Sequence, residues 1–353
     1  MAELLAQWGE RIRAAADEGR ALRLRGGGSK DFYGGEPRGE VFDTAGHAGV
    51  VAYEPTELYV TARCGTPLAE LESVLGGKGQ FLACEPPRLP GATVGGTVAA
   101  GLSGPRRATA GAVRDFVLGV KLLDGEGRLL TFGGQVMKNV AGYDVSRLVA
   151  GSMGTLALIA EVSLKVLPRP VAEATLRFEM PQANALEDLN AWAGRPLPIS
   201  GSCWQDGLLT LRLSGARAAV DSARAKLGGE ALDEYAARAF WDGRRDLTDS
   251  FFAGPDPVWR LSLPSVAPVV DAAQGVEWGG ALRWWRTGRP AAEVRALAAK
   301  AGGHATLFRR GGHEEDAPPF HPLPPAVLAL HERLKRAFDP KGILNPGRLH
   351  PEL

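Results

Sequence analysis

The sequence predicts an α+β protein built from two domains. Its 353 residues are 45% hydrophobic and 23% charged, the balance expected of a soluble globular chain with a sizeable core. Strand and helix patterns alternate along the chain, which favours mixed layers of helix and sheet. Residues 26–154 hold 26 of the 46 glycines. The composition changes after residue 170, which is where we expect the glycine-rich domain to end. We therefore expect a glycine-rich domain over 1–170, a smaller domain over 171–315 and a C-terminal segment over 316–353.

The first domain is expected to open with an amphipathic helix over residues 3–18. A short apolar strand follows and runs into three consecutive glycines, Gly26 to Gly28. After further strands rich in valine and tyrosine, a helix is predicted with Thr66 as its N-cap and Pro67 at its first position. Residues 97–104 are too small and too rich in glycine to predict a free-standing helix.

The remainder of the first domain is predicted to be mainly strand. Asp124-Gly125 is a strong turn signal between two apolar runs and indicates a β-hairpin. The apolar stretch 148–160 is well short of the roughly 20 residues that span a bilayer, so we interpret it as buried strand. A long strand then ends at Pro168.

The second domain, residues 171–315, is predicted to be a cap. Its first part has the order strand, helix, strand, strand, helix, which is compatible with a ferredoxin-like sheet. Seven of the eight tryptophans lie beyond the first domain and indicate a large aromatic core or a pocket. The segment 316–353 is expected to be a proline-rich linker followed by a final helix. No internal repeat is evident in the sequence.

Charge and cysteine content exclude several function classes. The formal net charge is +1, so no global field recruits nucleic acid or an anionic membrane. Cys64, Cys84 and Cys203 are too widely spaced for a disulfide framework, an iron–sulfur cluster or a CxxC pair. The N-terminal helix lacks the apolar core of a signal peptide, so we expect a cytoplasmic protein. Any redox chemistry requires a bound organic cofactor.

Two glycine clusters are the best candidates for ligand binding, Arg25 to Ser29 and Pro90 to Thr97. Neither matches GxGxxG or the GK[ST] of a P-loop, which excludes a Rossmann fingerprint and a Walker motif. Consecutive glycines allow several amide N–H groups to converge on one anion, and the target would be a phosphate. The alternative is that each cluster is only a tight turn. Two clusters together could donate hydrogen bonds to both faces of a pyrophosphate. A helix start at the second cluster would add the positive end of a helix dipole.

The order of these segments resembles the FAD-binding domain of the vanillyl-alcohol-oxidase family, also called the PCMH type, which consists of two subdomains. The resemblance covers residues 20–168 and rests on RGGGS, LPGATVGGTVAAGLSGPRR, VRDFVLGVKLLDGEGRLL and GYDVSRLVAGSMGTLALIAEVSLKV. The ending FDPKGILNPGR is similar to that family's C-terminus, where the chain returns to the FAD domain. Within the family, KNVAGYDVSRL and the short cap are most similar to the smaller flavin subunits of glycolate oxidases.

This resemblance implies FAD as cofactor and assigns residues to it. The two loops would hold the pyrophosphate and the flavin ring from opposite sides, with Gly154 and Ile159 near the adenosine and Asn345 near the ring. The full implied set is Arg25, Gly26, Gly27, Gly28, Ser29, Pro90, Gly91, Thr93, Val94, Gly95, Gly96, Val98, Ala99, Gly101, Gly154, Ile159 and Asn345. Relatives with covalent flavin use a histidine at the position of Ser29 or a cysteine in the second loop, so non-covalent FAD is implied here. Replacing Gly27 or Gly95 by a bulky residue is expected to abolish FAD retention and leave the fold largely intact.

No catalytic residue and no metal ligand can be assigned from the sequence. Related 2-hydroxy-acid dehydrogenases carry an HGDGNLH-type segment and a later Glu-His pair, and this chain has neither. The nearest groups, His304, His313 to Asp316 and His321, have the wrong spacing and are better explained as a solvated loop. Other candidates for anion or partner binding, each alone more often a surface charge, are Arg106, Arg107, Lys138, Asn139, Tyr143, Arg283, Arg286, Arg309 and Arg310. The segment 283–286 is the most suggestive of a partner or substrate surface, because aromatic and arginine side chains are enriched at binding hot spots. Alternation along a strand nevertheless places one of Trp284 and Trp285 in the core, which favours a structural role.

Two hypotheses therefore remain for function. In the first, implied by the resemblance, the chain is the FAD-binding subunit of a glycolate oxidase that oxidises a 2-hydroxy acid to a 2-oxo acid and passes electrons to an iron–sulfur subunit beside a larger flavoprotein subunit. In the second, the chain is a catalytically silent flavin-binding scaffold for that larger paralogue. A stand-alone flavoenzyme is disfavoured because the cap offers no recognisable proton donor. The expected location is the cytoplasm, with attachment to the inner membrane surface through the partners as the alternative.

Overall fold

The computed structural model describes residues 2–134, 144–270, 275–311 and 317–353. Lys138, Asn139, Tyr143 and the group His313 to Asp316 lie outside these ranges, so their predicted roles stay untested. Helices and antiparallel sheets are combined in layers, as expected for the α+β class. None of the described helices is long and apolar enough to cross a bilayer.

The first domain contains a parallel strand pair and a five-stranded antiparallel sheet. In chain order its elements are α1 (Ala2–Asp17), β1 (Leu22–Arg25), β2 (Glu40–Asp43), β3 (Val50–Glu54), β4 (Tyr59–Arg63), α2 (Leu68–Gly76), β5 (Gln80–Phe81), α3 (Val94–Ala100), α4 (Arg107–Ala110), α5 (Val113–Phe116), β6 (Val117–Leu123), β7 (Leu129–Gly133), α6 (Val145–Leu148), β8 (Leu158–Lys165) and β9 (Leu167–Pro168). Strands β1 and β2 form the parallel pair, and the larger sheet has the order β3-β4-β8-β6-β7. The predicted hairpin is β6 and β7.

Local sequence explains where α1 packs. Leu5, Trp8, Ile12 and Ala15 recur every three or four residues and are buried, so one stripe of the helix covers the strand pair. Leu22 and Phe42, one from each strand of that pair, belong to the same cluster. This packing fixes the pair whose carboxyl end carries the first glycine cluster.

Two local predictions for the first domain are wrong, those for the N-cap of α2 and for the start of β8. Pro67 is the N-cap of α2, and Thr66 instead donates its hydroxyl hydrogen to the Arg63 carbonyl at 2.7 Å. Helix α3 is not free-standing: Thr93 caps it, and its small residues allow close packing on the sheet. Strand β8 starts only at Leu158, because Gly151 and Gly154 adopt φ values of +84° and +73° that place the preceding residues in turns.

The cap is one eight-stranded antiparallel sheet with helices packed against it. In chain order its elements are β10 (Ala172–Glu179), α7 (Gln182–Ala193), β11 (Ile199–Gln205), β12 (Leu208–Gly215), α8 (Arg217–Leu227), β13 (Glu230–Ala231), α9 (Glu234–Asp246), β14 (Val258–Ser262), β15 (Gly275–Glu277), β16 (Leu282–Arg286), α10 (Ala291–Lys300) and β17 (His304–Arg309). Two single-turn 3-10 helices, Ser250–Phe252 and Trp278–Gly280, complete the described elements. The division of the chain at residue 170 stays our proposal.

The strand order of the cap contains a duplication that the sequence does not reveal. The full order is β13-β10-β12-β11-β15-β16-β14-β17. The first four strands have the ferredoxin-like arrangement predicted for them, with the first strand between the third and the fourth. Strands β14 to β17 have the same pairing scheme, and the two units join where β11 pairs with β15. Among the described elements, α10 of the second unit corresponds to α8 of the first, and no described α-helix of the second unit corresponds to α7.

The C-terminal segment returns to the first domain, as the resemblance implied. Helix α11 (Pro325–Phe338) is followed by a short stretch that lies beside β1, where the Leu22 amide donates to the Ile343 carbonyl at 2.7 Å and the Asn345 amide donates to the Leu22 carbonyl at 2.9 Å. Buried Lys335 secures the turn by donating to Asp339 Oδ2 at 2.7 Å and to the Leu344 carbonyl at 2.8 Å. The last residues of the chain thus help to build the site at the end of β1.

Candidate functional site

A cleft of about 810 Å³, partly open to solvent, lies where β1 ends. Four segments surround it: the loop after β1, the start of α3, the turn before β8 and the stretch after α11 that contains Asn345 and Arg348. We call this last stretch the C-terminal return. The sequence-predicted residues that line it are Arg25, Gly26, Gly27, Gly28, Ser29, Thr93, Gly95, Gly96, Ala99, Gly154, Ile159 and Asn345. Two distant glycine clusters therefore do converge on one space.

The loop after β1 offers unused amide donors. Within the four described ranges, the N–H groups of residues 26–30 have no hydrogen-bond acceptor on the protein. Gly28 has φ +71°, a left-handed conformation that turns the chain sharply after the strand. Adjacent free amides in a glycine-rich turn can bind an anion. Residues 26–30 are therefore the candidate anion-binding segment of the cleft, and we call them the anion loop.

Lys30 adds a positive charge to the same loop. Its side chain is only 8% exposed, and its one described hydrogen-bond partner is the neutral Ser29 hydroxyl, 3.3 Å from Nζ. Burial lowers the pKa of Lys30 from its ordinary 10.5 to about 8. A buried ammonium without a carboxylate is costly unless an anion approaches it. Lys30 thus fits a phosphate, and sequence reasoning missed it.

The second glycine cluster forms a wall of the cleft and uses most of its amides within the protein. The amide of Val94 donates to the Thr66 carbonyl at 2.9 Å, and that of Gly95 donates to the Cys64 carbonyl at 2.8 Å. The Gly96 amide donates to the hydroxyl of its own helix cap, Thr93, at 3.3 Å. In the second cluster only the amides of Gly91 and Thr93 have no acceptor among the described residues, so it offers fewer donors to an anion than the first cluster does.

Close contact between protein segments explains several of the glycines. A Cβ on Gly27 would lie 1.8 Å from the Gly91 carbonyl oxygen, so the two loops touch directly. A Cβ on Gly95 would lie 2.6 Å from the Cβ of Cys64. A bulky residue at Gly27 or Gly95 would hence disturb the loops themselves, contrary to the prediction that it would leave the fold intact. Gly96 differs, because a Cβ there would meet only the Thr93 hydroxyl at 3.2 Å.

The C-terminal return closes one side of the cleft with two polar residues. Asn345 accepts a hydrogen bond from the Leu24 amide at 2.7 Å and donates one to the Met153 carbonyl at 2.7 Å. Arg348 donates to the carbonyls of Gly35 and Tyr33, the latter at 2.7 Å, and so fixes the segment after the anion loop. The sequence indicated Asn345 by resemblance, whereas Arg348 belongs to the same motif but was not assigned.

The other charged and nucleophilic groups of the cleft are engaged or inert. Asp31 pairs with Arg23 at 2.6 Å and with Arg25 at 3.1 Å. Burial raises the pKa of Cys64 to about 12, so its thiol stays protonated at neutral pH. Of the residues described along this cleft, none is a histidine, a glutamate or a tyrosine. The cleft therefore has the character of a binding site without an evident general base.

Five predicted residues do not line the cleft: Pro90, Gly91, Val94, Val98 and Gly101. Val94 and Val98 are buried in the core of the first domain. Gly91 contacts the anion loop through Gly27, and Gly101 closes α3 in a left-handed conformation. These five residues support the wall of the cleft without lining it.

Twelve residues line the cleft that the sequence reasoning did not assign to it. Besides Lys30 and Arg348 they are Arg23, Leu24, Asp31, Pro37, Thr44, Cys64, Ala100, Met153, Ala157 and Leu158.

A buried aromatic cluster packs the wall of the cleft against the cap. The Tyr33 ring lies 5.3 Å from that of Phe308, which lies 5.1 Å from Trp284. Ala100 and Met153, which line the cleft, belong to the same buried cluster. The described residues that line the cleft all lie in the first domain or in the C-terminal segment, so the cap supports the wall from behind.

The remaining sequence candidates have structural partners. Arg283 is fully buried and donates to the carbonyls of Gly280 and Ala267, and both neighbouring tryptophans are buried on opposite faces of the sheet. The segment is therefore core and offers no binding surface. Partners of the other arginines are Glu85 for Arg106, the Trp278 ring for Arg107, Asp256 for Arg286, the Phe252 carbonyl for Arg309 and the Ala317 carbonyl for Arg310.

Two of the candidate histidines, His304 of β17 and His321 of the linker, lie near each other. The rings of His304 and His321 lie 6.3 Å apart, and burial lowers the pKa of each. Among the residues that the structure describes, no group of three or more histidine, cysteine, aspartate or glutamate side chains could hold a metal ion.

Comparison with protein families gives two matches. A family model described as "FAD binding domain" matches residues 5–133, and one described as "FAD linked oxidases, C-terminal domain" matches residues 323–349. The two matched regions contain the anion loop, the cleft wall formed by α3, and the C-terminal return.

Individual relatives agree with the family matches. The chain is 45% identical over 347 residues to the glycolate oxidase subunit GlcE of Escherichia coli, which covers 98% of this chain and 97% of that protein. It is 31% identical over 127 residues to the glycolate oxidase subunit GlcD of Bacillus subtilis, covering 36% of this chain and 27% of that one. A D-lactate dehydrogenase of Archaeoglobus fulgidus is 25% identical over 315 residues, covering 73% and 70%.

Among solved structures, alkyldihydroxyacetonephosphate synthase has a similar fold. The TM-score is 0.65 at 18% identity, and the match covers 96% of this chain and 73% of that one. At this level of identity the similarity supports the fold alone.

Proposed function

Because the chain belongs to the family of FAD-linked oxidoreductases that includes the glycolate oxidase subunit GlcE, we propose that it is the FAD-binding subunit of a glycolate oxidase. The observation that carries the proposal is the cleft at the end of β1, where free amides of residues 26–30 and the unpaired ammonium of Lys30 meet in one concave space. This donor set suits the pyrophosphate of FAD.

The residues around the cleft have separate parts in holding the cofactor. The anion loop and Lys30 would bind the pyrophosphate, while Gly96 and Ala99 of α3 would let the cofactor approach the helix closely. Asn345 and Arg348 would keep the C-terminal return and the anion loop in place. Bound FAD supplies the two-electron acceptor for oxidation of a 2-hydroxy acid to a 2-oxo acid. Attachment is non-covalent, since Ser29 stands in the anion loop and the Cys64 thiol stays protonated.

We further propose that the chain works in an assembly with a larger flavoprotein subunit and an iron–sulfur subunit that receives the electrons. The support is its similarity to GlcE over nearly its whole length and to GlcD, each named as one subunit of glycolate oxidase. We place the assembly in the cytoplasm, or at the inner membrane surface through its partners.

A second candidate is a flavin-binding scaffold whose partner performs turnover. It is favoured by the lack of a positioned base: Asp31 is held by two arginines, and the described lining of the cleft contains no histidine, glutamate or tyrosine. Substrate oxidation requires a group that accepts the hydroxyl proton. In this case the chain would bind FAD and remain oxidised in the presence of glycolate.

Anaerobic reduction of the purified, FAD-loaded chain by glycolate distinguishes the two candidates. Bleaching of the flavin absorbance by glycolate without partners would assign oxidation to this chain. Bleaching only after addition of the larger flavoprotein subunit would assign turnover to that subunit. A chain that retains no FAD under any condition would contradict both.

A further inference from the structure

A second, larger cleft lies between the two domains and shares no lining residue with the cleft at the end of β1, which we call the FAD cleft. Its empty space, which is open to solvent, amounts to about 2120 Å³, compared with about 810 Å³ for the FAD cleft. Its walls come from α2 and β5 of the first domain and from β10, α8 and α9 of the cap. We call it the arginine groove, because eight arginines and five carboxylates line it.

The floor of the arginine groove is a network that joins the two domains. Glu85 lies between Arg106 of the first domain, 3.3 Å away, and Arg212 of the cap, 2.9 Å away, and all three are buried. The two guanidinium groups hold the pKa of Glu85 below its usual range, although burial alone would raise it. The groove is therefore a built feature of the domain interface and keeps its positive charges at fixed positions.

The rim of the groove carries positive charge without matching carboxylates. Arg169, Arg217 and Arg224 are exposed, and no carboxylate lies within ion-pair distance of them in the part of the chain that the structure describes. Arg217 and Arg224 are seven residues apart on α8, so they lie on one face of the helix. A concave surface with excess arginine attracts and orients carboxylates.

An incompletely paired strand also borders the groove. Strand β10 pairs with β12 along its whole length, but on its other side β13 pairs only with Leu176 and Arg177. The Leu232 amide extends this contact by donating to the Thr175 carbonyl at 3.0 Å. Because backbone groups of alternate residues point to the same side, the N–H and C=O of Glu173 lie at the open edge beyond this contact. An open edge within a groove can receive an extended peptide as an additional strand.

We propose that the arginine groove receives an extended, acidic segment of a partner subunit, which lies beside β10 and directs its carboxylates toward Arg217, Arg224 and Arg169. The size of the groove, the uncompensated arginines and the open strand edge all favour a polypeptide over a small anion. The inference rests on the proposed function, because it presupposes an assembly.

The test is association of the tagged, full-length chain with its co-expressed partner subunits. The variant Arg217→Glu/Arg224→Glu is expected to weaken association by about tenfold at low ionic strength and to reduce its salt dependence. The side chains of Arg217 and Arg224 have no described hydrogen bond or ion pair within the chain, so the variant should fold normally. Circular dichroism checks the folding. The control variant Arg195→Glu/Arg336→Glu changes two exposed arginines outside the groove, and Arg336 occupies the last turn of α11 as Arg224 occupies that of α8.

A second measurement follows the strand edge directly. Hydrogen exchange of the Glu173 amide should slow on assembly in the wild-type chain. FAD content is measured in every sample. A wild-type chain that holds no FAD would contradict the proposed function, whereas an FAD-loaded chain tests the arginine groove separately. If the FAD-loaded variant Arg217→Glu/Arg224→Glu binds the partner subunits as tightly as the control variant Arg195→Glu/Arg336→Glu does, the proposal is overturned. In another outcome, citrate stabilises the wild-type chain against heat and fails to stabilise Arg217→Glu/Arg224→Glu, while both chains assemble equally well. This result would assign the groove to a small anion and would also overturn the proposal.

Discussion

Asn345 joins the C-terminal return to β1 by accepting a hydrogen bond from the Leu24 amide at 2.7 Å. The same side chain donates to the Met153 carbonyl, also at 2.7 Å, and its backbone has a φ of +42°. Asparagine tolerates this left-handed conformation better than most residues. One side chain therefore holds together three of the segments that surround the FAD cleft.

Asn345→Ala should destabilise the protein by about 1–3 kcal/mol, since two buried hydrogen bonds are lost. FAD retention should fall as well, because the C-terminal return lines the cleft. Urea unfolding and flavin content of the purified chain measure the two effects. Asn190→Ala is the matched control, because Asn190 also donates to two carbonyls, those of Leu186 and Ser265, but lies in the cap. It should lose stability and keep its FAD, and equal FAD loss in both variants would contradict the role of Asn345.

Gly96→Leu should block FAD binding with little effect on folding. Gly96 is helical, lines the cleft and has only the Thr93 hydroxyl near its absent side chain, so a leucine would occupy cofactor space. Gly76→Leu is the control, because Gly76 is an exposed helical glycine outside the cleft. Flavin fluorescence titration reports affinity, and circular dichroism reports folding. Normal FAD affinity in the Gly96→Leu variant would remove α3 from the site.

Lys30 should make FAD affinity depend on pH. Below about pH 8 the buried lysine is charged in the folded and unfolded protein alike, and the cofactor-free fold carries the full penalty of burying it. Between about 8 and 10.5 only the unfolded chain holds the proton, so stability without FAD rises with pH over this range. A bound phosphate favours the charged lysine, and affinity should therefore decrease as pH rises through about 8.

Two variants isolate this effect of Lys30 from titration of the cofactor itself. Lys30→Met should bind FAD more weakly and lack the decrease near pH 8, whereas Lys30→Arg should keep a positive charge throughout this range. Isothermal titration across the pH range supplies the affinities. Identical pH profiles for wild type and Lys30→Met would show that Lys30 does not contact the cofactor phosphates.

Lys335 and Asp339 form a buried ion pair whose disruption should be costly. Lys335→Met would leave the Asp339 carboxylate buried without its cation, and the expected loss of stability is about 3–5 kcal/mol. Glu293→Gln breaks an exposed pair of the same spacing and should change stability by about 0.5 kcal/mol or less. Urea unfolding compares the two variants. A small effect at Lys335 would mean that the C-terminal return is held mainly by its other contacts.

The strands, the hairpin and the two glycine loops could be predicted from the sequence because their signals are local. Asp124-Gly125 specifies its turn by itself, and Gly26 to Gly28 follow directly on an apolar strand. The duplication in the cap could not be predicted, since it depends on strand pairings between distant residues, including β11 with β15.

The candidate site shows the same division between local and distant information. The positions of the glycines indicated where a cofactor could approach, but not which of them are needed for contact between Gly27 and Gly91. Nothing in the neighbouring sequence reveals that Lys30 is buried or that Arg348 fixes the segment after the anion loop. Trp284 and Trp285 were ambiguous because a strand with both faces covered buries consecutive residues, and here both are core.

We propose that this chain binds FAD without a covalent bond in the cleft at the end of β1. The flavin content of the purified chain before and after acid precipitation tests this binding. Non-covalent binding in this cleft predicts a yellow protein with about one FAD per chain that is released entirely into the supernatant, and a colourless protein for Gly96→Leu. Flavin that stays in the precipitate would show a covalent bond, and a wild-type chain that binds no FAD when it is supplied would show that the cleft does not hold the cofactor.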